Sequence, residues 1–302
     1  MPSDAPISYL QRTRDYYLAL GYGNPYRWAH FHDVPFTPLR KPLADCTVAI
    51  VTTAAPFQPG KGDQGPGAPY NADAKFYSVY EGDTVAMPDL RISHVAIDRD
   101  HTTGEDIGSY FPLAALRTAA KNGRIGQVAA RFYGLPTNRS QKATLETDVP
   151  DLLRRCQAAA VDVAVLVPNC PVCHQSVSLA ARGLEAAGIA TVILGCARDI
   201  VEHVGVPRLV FSDFPLGNAA GRPNDPESQR QTLALALDLL AGATGPRSTR
   251  VSPLKWQGAA NWKVNYSNPA LLSPAEIARR RAVFDRGKTA AKGLRDGGGP
   301  WR

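Results

Sequence analysis

The chain has 302 residues, of which 44% are hydrophobic, so it holds enough apolar side chains for one large or two small globular domains. No apolar run approaches the roughly 20 residues of a membrane-spanning helix, and the first residues lack the basic and apolar regions of a signal peptide. Five cysteines make an odd and low count for a secreted protein held together by disulfides. We therefore expect a cytoplasmic protein that makes no contact with a membrane.

The net charge of +7 is concentrated at the carboxyl end of the chain. Residues 246–302 carry 12 Lys or Arg side chains against 3 Asp or Glu, whereas the rest of the chain is close to neutral. A basic tail can bind nucleic acid, but this one lacks a recognised nucleic-acid motif and has few aromatic residues. We expect it to stay solvated or to pack on a neighbouring copy in a homo-oligomer, without a nucleic-acid partner.

Three regions follow one another along the chain: an N-terminal arm at 1–43, an α/β domain at 44–245 and the basic extension at 246–302. The arm is rich in aromatic residues and holds a predicted helix from Ser8 to Leu20. His30 and His32 also lie in the arm, at a spacing that suits a metal ion. Histidines among aromatic residues are more often packing groups, so we interpret them as such.

Within the domain, short apolar runs typical of buried strands alternate with segments of helical periodicity. The predicted strands are 47–53, 91–97, 127–133, 161–167, 190–194 and 209–211. The predicted helices are 113–122, 149–159, 171–187 and 226–241. This alternation predicts a doubly wound, mostly parallel sheet of the flavodoxin or Rossmann type, with right-handed crossovers.

The sequence CPVCH at 170–174 lies where the predicted strand 161–167 passes into the next helix. Pro171 suits the first helical position, which places Cys170 at or beside the N-cap and Cys173 in the first turn. The positive end of a helix dipole favours a thiolate, so we expect Cys170 to be the more acidic thiol. Because open α/β sheets bind ligands at the carboxyl ends of their strands, the pair predicts a nucleophile, Cys170, with a resolving partner, Cys173.

A metal site is an alternative interpretation of this pair, because C-x-x-C is half of many zinc sites. The sequence has no second such pair, and Cys196 and His174 are the residues that could complete a set of four ligands. Cys196 follows the predicted strand 190–194, so it comes near the thiols if the two strands are neighbours. Inert packing of both cysteines is a further alternative. We expect thiol chemistry and no bound metal.

Polar segments follow other predicted strands. The loop from Asp98 to Asp106 supplies a histidine and carboxylates together, the groups that general acid–base chemistry uses, and its alternative role is a capped surface turn. We predict His101 as a catalytic acid. A small-residue segment after strand 209–211 could bring main-chain N–H groups to a bound carboxylate. The residues predicted to bind substrate are His94, Asp98, Asp100, Thr102, His174, Gly217 and Asn218.

Taken in order, these segments resemble the selenoprotein B family, which holds the substrate-activating subunits of glycine, sarcosine, betaine and D-proline reductases. The matching residues are His94, Asp98-x-Asp100-His101-Thr102, Tyr110-Phe111-Pro112, Asp162-x5-Pro168-x-Cys170-Pro171-x-Cys173-His174-Gln175 and Phe214-Pro215-Leu216-Gly217. The arm around Tyr26-Arg27-Trp28 is also similar. The resemblance extends over roughly 17–240 and leaves out the tail.

This resemblance implies that Cys170 occupies the position of the selenocysteine with which those reductases attack a carbon and expel a leaving group. Cys173 then matches their second thiol. The chain departs from the family in having sulfur in place of selenium. A thiolate is less nucleophilic and less ionised at neutral pH, so activation by the surroundings matters more. The family also works with partner subunits, some of which bear a pyruvoyl group.

The sequence leaves functions of different classes open. The first is a cofactor-free thiol reductase that cleaves a carbon–heteroatom bond in a small anionic substrate, with an external thiol or a thioredoxin-type protein as reductant. The second is a non-redox acid–base enzyme, such as a racemase, decarboxylase or lyase, with Cys170 and Cys196 on opposite sides of the substrate. The third is a non-catalytic subunit of a reductase complex.

Overall fold

Strands and helices alternate through the domain. The computed structural model describes residues 5–23, 26–68, 70–71, 73–92, 94, 96–137, 139–259 and 261–296. The strands are β1 Thr47–Thr52, β2 Ala55–Pro56, β3 Tyr80–Asp83, β4 Leu90–Arg91, β5 Gln127–Val128, β6 Arg131–Gly134, β7 Val163–Val167, β8 Ala190–Gly195, β9 Arg208–Phe211 and β10 Ser248–Val251. The helices are α1 Tyr9–Ala19, α2 Leu113–Lys121, α3 Gln141–Ala143, α4 Val149–Ala158, α5 Pro171–Ala186, α6 Arg198–Val204, α7 Pro226–Gly242, α8 Trp262–Asn265 and α9 Pro274–Asp296.

The main sheet has the strand order β10-β9-β8-β7-β1-β6-β3, and β5 pairs with the start of β1. Its pairings are parallel except for that of β3 with β6. Alternate residues of β1 face two apolar layers: Val48 and Ile50 pack with α2 and α7, whereas Ala49 and Val51 pack with α4 and α5. Helices therefore cover both faces, which confirms the doubly wound, mostly parallel α/β fold.

The predicted strand 91–97 is not a strand of this sheet. Its described residues form a strand only at Arg91, in β4, which pairs antiparallel with β2 outside the main sheet; Ser93 and Val95 lie outside the described residues. β1 already has β7 on one side and β5 and β6 on the other, so the sheet has no free position there. The described residues of the segment 91–112 accordingly lie outside the main sheet.

The basic extension packs on its own chain over its described residues, so the expectation that it stays solvated is wrong, whereas packing on a neighbouring copy stays a prediction. β10 adds a parallel strand beside β9. The Tyr266 hydroxyl donates to the Ala96 carbonyl at 2.9 Å, and Arg12 of α1 donates to the Tyr266 carbonyl at 2.6 Å. Among the described residues, no helix is both long enough and apolar enough to cross a membrane.

Candidate active site

Cys170 caps α5, and Cys173 lies in the first turn of that helix. The Cys170 backbone is extended (φ −135°, ψ 171°), Pro171 takes the first helical position, and the Cys173 N–H donates to the Cys170 sulfur at 3.3 Å. This local structure agrees with the prediction made from the proline. Because β7 is buried along its whole length and leads directly to the cap, the thiols lie at the carboxyl edge of the sheet.

The two thiols are buried and free, and their sulfur atoms lie 2.7 Å apart. The Thr137 hydroxyl lies 3.1 Å from the Cys173 sulfur. The donor atoms of His94, Cys170 and Cys173 all lie within 4.8 Å of one another. Residues from three separate chain segments therefore meet at the Cys173 sulfur.

The acidity of the two thiols is opposite to the order expected from the helix dipole. Burial raises the pKa of Cys170 well above its ordinary value, and the neighbouring Cys173 sulfur raises it further. Burial also acts to raise the pKa of Cys173, but hydrogen bonds from Cys170, His94 and Thr137, together with the His94 charge, lower it well below its ordinary value. The expectation that Cys170 is the more acidic thiol is wrong because side-chain donors at Cys173 outweigh the main-chain donor at Cys170.

His174 is a fully buried clamp between α5 and the end of β8. Its Nε2 accepts hydrogen bonds from the N–H groups of Cys196 and Ala197 at 3.0 and 3.1 Å, and its Nδ1 lies 2.8 Å from the Cys170 carbonyl. Two donors at Nε2 leave the proton on Nδ1, which donates to that carbonyl. Burial lowers the pKa of His174 to about 4, so the ring is neutral. With both nitrogens in use, His174 positions Cys170 and offers no free nitrogen to a substrate or metal.

Cys196 lies near the clamp but faces away from the thiol pair. Burial raises the pKa of its thiol, and the nearby main-chain N–H groups of Phe214 and Asn218 act in the opposite direction. It does not line the cavity in front of Cys170. The four-ligand metal set of Cys170, Cys173, Cys196 and His174 is therefore not assembled. Among the described residues, the group close enough for a metal ion is His94 with Cys170 and Cys173.

Thr102, Gly217 and Asn218 form a packed junction. The Asn218 amide donates to the Thr102 hydroxyl at 2.7 Å, that hydroxyl donates to the Leu216 carbonyl at 3.1 Å, and both side chains are buried. Gly217 has φ +105°, and a Cβ there would come within 2.7 Å of the Thr102 methyl group. The structure thus brings three predicted substrate-binding residues together, but their polar groups satisfy one another.

His101 pairs with Asp98. The His101 Nδ1 lies 2.9 Å from a carboxylate oxygen of Asp98, which is buried, whereas Asp100 is exposed. Burial raises the pKa of Asp98, and the hydrogen bond from His101 opposes this. None of these three residues lines the cavity in front of the thiols, whereas His94 does. Of His94 and His101, the structure places His94 against the thiol pair.

A cavity of about 580 Å³ opens in front of Cys170. Its walls are largely aromatic and basic, and no carboxylate among the described residues lines it. The lining includes Tyr17, Tyr70, Lys75, Phe76, Tyr77, His94, Thr137, Arg139, Cys170, Phe284, Lys288 and Lys292. Neither Lys75 nor Arg139 forms an ion pair with a described carboxylate. Unpaired cations beside a buried thiol pair favour an anionic ligand.

Sequence reasoning missed most of this lining. Thr137 and Arg139 follow the carboxyl end of β6. Because open α/β sheets bind ligands at the carboxyl ends of their strands, this position could have indicated both residues. Lys75 lies in the long excursion between β2 and β3, which carries no such signal. Lys288 and Lys292 belong to the basic extension, and their one-turn spacing on a helix is the available hint.

No family model and no solved structure matches the chain. The chain is 30% identical over 233 residues to the D-proline reductase subunit gamma of Acetoanaerobium sticklandii, which covers 74% of this chain and 90% of that protein. It is 24% identical over 208 residues to the glycine reductase complex component B subunit gamma of Carboxydothermus hydrogenoformans and 24% identical over 204 residues to that of Peptoclostridium acidaminophilum. The matches span 47% and 46% of those two proteins, about half their length.

Proposed function

Because the chain belongs to the family of D-proline reductase and glycine reductase component B gamma subunits, we propose that it is a thiol-dependent reductase subunit that cleaves a carbon–heteroatom bond. Cys170 is the nucleophile and Cys173 the resolving thiol. The observation that carries the proposal is the pair of free sulfur atoms 2.7 Å apart at the floor of a basic cavity. Cys170 lines that cavity, whereas Cys173 lies behind it.

The first step forms a carbon–sulfur bond. Cys170 loses its proton to the Cys173 thiolate and attacks the electrophilic carbon of a substrate R–X, whose leaving group departs with the bonding electron pair. His94 protonates that leaving group. The Cys173 thiolate suits the role of base because it already accepts a hydrogen bond from Cys170.

The second step forms the disulfide. Cys173 gives up its proton and attacks the Cys170 sulfur, and the carbon–sulfur bond breaks so that carbon keeps the electron pair and takes a proton to become R–H. The sum is R–X and two thiols giving R–H, HX and one disulfide, so the substrate gains two electrons and the enzyme loses two. The short sulfur–sulfur separation suits this exchange.

Lys75 and Arg139 bind the anionic group of the substrate in this proposal. Lys75 is close enough to the thiols to act on the Cys170 pKa, and burial lowers its own pKa. Arg139 is held with its guanidinium 4.6 Å from the ring centres of both Tyr17 and Phe284. A substrate carboxylate would supply the counter-charge that the described residues do not.

The cycle as proposed uses no resident cofactor or metal, and an external thiol or a thioredoxin-type protein reduces the disulfide. Since the relatives are subunits of reductases, we propose that partner subunits cooperate with this chain and that it also forms homo-oligomers. No observation favours the racemase-like alternative, because Cys196 faces Phe214 and Asn218 rather than the cavity.

Trapping tests the proposal. Cys173→Ser protein is incubated with D-proline and other amino-acid amines, with and without the partner subunits, and its intact mass is measured. We expect a substrate-derived adduct that peptide mapping places on Cys170 and that Cys170→Ser protein lacks. Cys46→Ser, at a buried cysteine far along the chain, serves as the control. Full turnover by a complex that contains Cys170→Ser protein would contradict the proposal and identify a non-catalytic subunit.

A further inference from the structure

One wall of the thiol cavity comes from α9, in the basic extension. Phe284, Lys288, Thr289 and Lys292 line the cavity from that helix. The other walls belong to the domain and to α1. The extension that composition marks as a charged tail is therefore part of the site.

Contacts with the N-terminal arm hold α9 in place. Arg281 donates to the Leu20 carbonyl at 2.7 Å, and the Tyr22 hydroxyl donates to Asp285 at 2.7 Å. The Tyr22 and Phe284 rings meet edge to face at 5.2 Å. These contacts fix the height and rotation of the helix, so its cavity-facing side chains project from a rigid element rather than a loop.

The α9 wall presents two lysines that have no carboxylate partner among the described side chains. Lys288 and Lys292 lie one turn apart, so they share a face of the helix. The nearby Asp285 is already engaged by Arg281 and Tyr22. The Lys288 ammonium lies 5.4 Å from the centre of the Tyr22 ring, at the exposed rim of the cavity. Lys75, by contrast, is close enough to Cys170 to lower the pKa of its thiol.

The cavity thus has cations on two different walls, together with aromatic side chains. Lys75 is close enough to Cys170 to lower the pKa of its thiol, whereas Lys288 and Lys292 are exposed on α9. Tyr17 and Phe284 line the same cavity, and their ring centres lie 4.6 Å from the Arg139 guanidinium. A volume of about 580 Å³ is in the range of sites that enclose ligands of drug size, well above a single small amino acid.

We propose that the substrate is an elongated dianion: one anionic group lies next to the reacting carbon and binds Lys75, and a second, distal carboxylate or similar group binds Lys288 and Lys292. An apolar or aromatic body separates the two groups. This inference rests on the proposed function, because it takes Cys170 as the attacking atom. In this proposal, α9 selects substrates that carry a negative charge at the end far from the reacting carbon.

Alkylating agents that carry charge at different positions test the two cation groups separately. Iodoacetate places a carboxylate beside its reacting carbon, and iodoacetamide is its neutral counterpart. Maleimidocaproate places a carboxylate at the end of a flexible alkyl arm, and N-ethylmaleimide is its neutral counterpart. The measured quantity is the ratio of anionic to neutral second-order rate constants at Cys170, with the labelled residue mapped by mass spectrometry.

We expect both ratios to exceed those of free cysteine and to fall with added salt. In Lys288→Gln/Lys292→Gln protein the maleimide ratio should fall about threefold to tenfold, because two partly exposed cations are removed. The iodoacetate ratio should change little. In Lys75→Gln protein the iodoacetate ratio should fall, and the maleimide ratio should change little. Lys288→Arg/Lys292→Arg should restore the maleimide ratio. Lys121→Gln/Lys255→Gln, at exposed lysines that do not line the cavity, is the matched control.

Three outcomes would overturn the proposal. An unchanged maleimide ratio in Lys288→Gln/Lys292→Gln protein would remove α9 from anion binding while leaving Cys170 as nucleophile. An equal fall of the maleimide ratio in the control protein would show that the effect comes from the change in net charge alone. Failure of every reagent to label Cys170 would overturn the proposed function as well, so the two failures are distinguishable.

Discussion

Each sulfur of the thiol pair has its own hydrogen-bond donors, and these donors decide where the shared proton lies. The side chains of Cys170, His94 and Thr137 together lower the pKa of Cys173, whereas the Cys170 sulfur accepts a hydrogen bond from the main-chain N–H of Cys173. The buried anion therefore forms on the sulfur behind the cavity, and the sulfur that lines the cavity keeps its proton until a substrate arrives. A protonated thiol is less prone to unwanted oxidation than a thiolate.

The first prediction concerns this coupling. Cys170→Ala should raise the pKa of Cys173, because it removes a hydrogen bond that stabilises the Cys173 anion. Cys173→Ala should lower the pKa of Cys170, because it removes the neighbour that disfavours the Cys170 anion. The pH dependence of iodoacetamide labelling in each variant measures both shifts, with Thr137→Val as a milder change at Cys173. Shifts of the opposite sign would show that the proton lies on Cys173 instead.

The second prediction separates the two histidines. His94→Ala should lower turnover by about 10²–10⁴-fold, the usual loss of a general acid, and the loss should shrink for substrates with better leaving groups. His101→Ala should reduce turnover less and equally for all leaving groups, because His101 contacts Asp98 and does not line the cavity. Single-turnover rates with a leaving-group series measure this. A larger, leaving-group-dependent loss for His101→Ala would restore His101 as the acid.

At the scale of elements, the ends of neighbouring parallel strands assemble the site. The sequence allowed the Cys170 cap, the strand before it and the helix after it to be predicted, because proline, a β-branched run and a helical period are all local signals. The segment 91–97 has the same apolar pattern, yet its place in the sheet was already taken. Strand propensity shows that a segment can pair, whereas the number of free edges decides whether it does.

His174 shows why one side chain can fix two elements together. Its neutral ring joins the carbonyl of the α5 cap to the N–H groups that follow β8, so the distance between these strand ends is set by a side chain without freedom to move. The sequence indicates a polar residue beside the cysteines but not its partners, because those partners are main-chain groups 22 and 23 residues away.

The third prediction follows from the pKa of this ring. It is about 4 in the folded chain against 6.5 ordinarily, so below about pH 6.5 the unfolded chain takes up a proton that the folded chain excludes. The stabilisation from His174 is complete above pH 6.5 and is lost as the pH falls towards 4, by up to about 3 kcal/mol. Urea unfolding should show that the advantage of wild-type protein over His174→Gln shrinks between pH 7.5 and 5. His32→Gln, at an exposed histidine, is the control variant. An advantage over His174→Gln that stays constant with pH would contradict the prediction.

At the scale of the whole molecule, both ends of the described chain fold back onto the domain. The arm is held by an ion pair with no solvent exposure, between Glu185 and Arg208, at 2.8 Å. Glu185 also accepts a hydrogen bond from the Thr37 N–H, and Arg208 donates to the Thr37 carbonyl and stacks on Phe36. Contacts between residues so distant in the chain leave no local pattern, which is why the sequence placed neither the arm nor α9.

The fourth prediction tests this anchor. Glu185→Ala should destabilise the protein by about 3–5 kcal/mol, because it leaves the Arg208 guanidinium buried without a counter-charge. Glu185→Leu/Arg208→Met should recover most of that loss. Asp238→Ala, which breaks the exposed pair with Arg124, should cost less than about 1 kcal/mol. Urea unfolding measures all three. A double variant no more stable than Glu185→Ala would show that the stabilisation comes from the arm contacts rather than from charge pairing.

The short distance between the two sulfur atoms has a consequence for product release. They need to approach by less than about 1 Å to bond, so oxidation leaves the shape of the cavity nearly unchanged. It does remove a negative charge, and the surrounding cations then attract the anionic product more strongly. In the proposed cycle the oxidised protein therefore retains its product, and the incoming electrons that regenerate the thiolate also expel it. In that cycle the product leaves only after the reductant has reduced the disulfide.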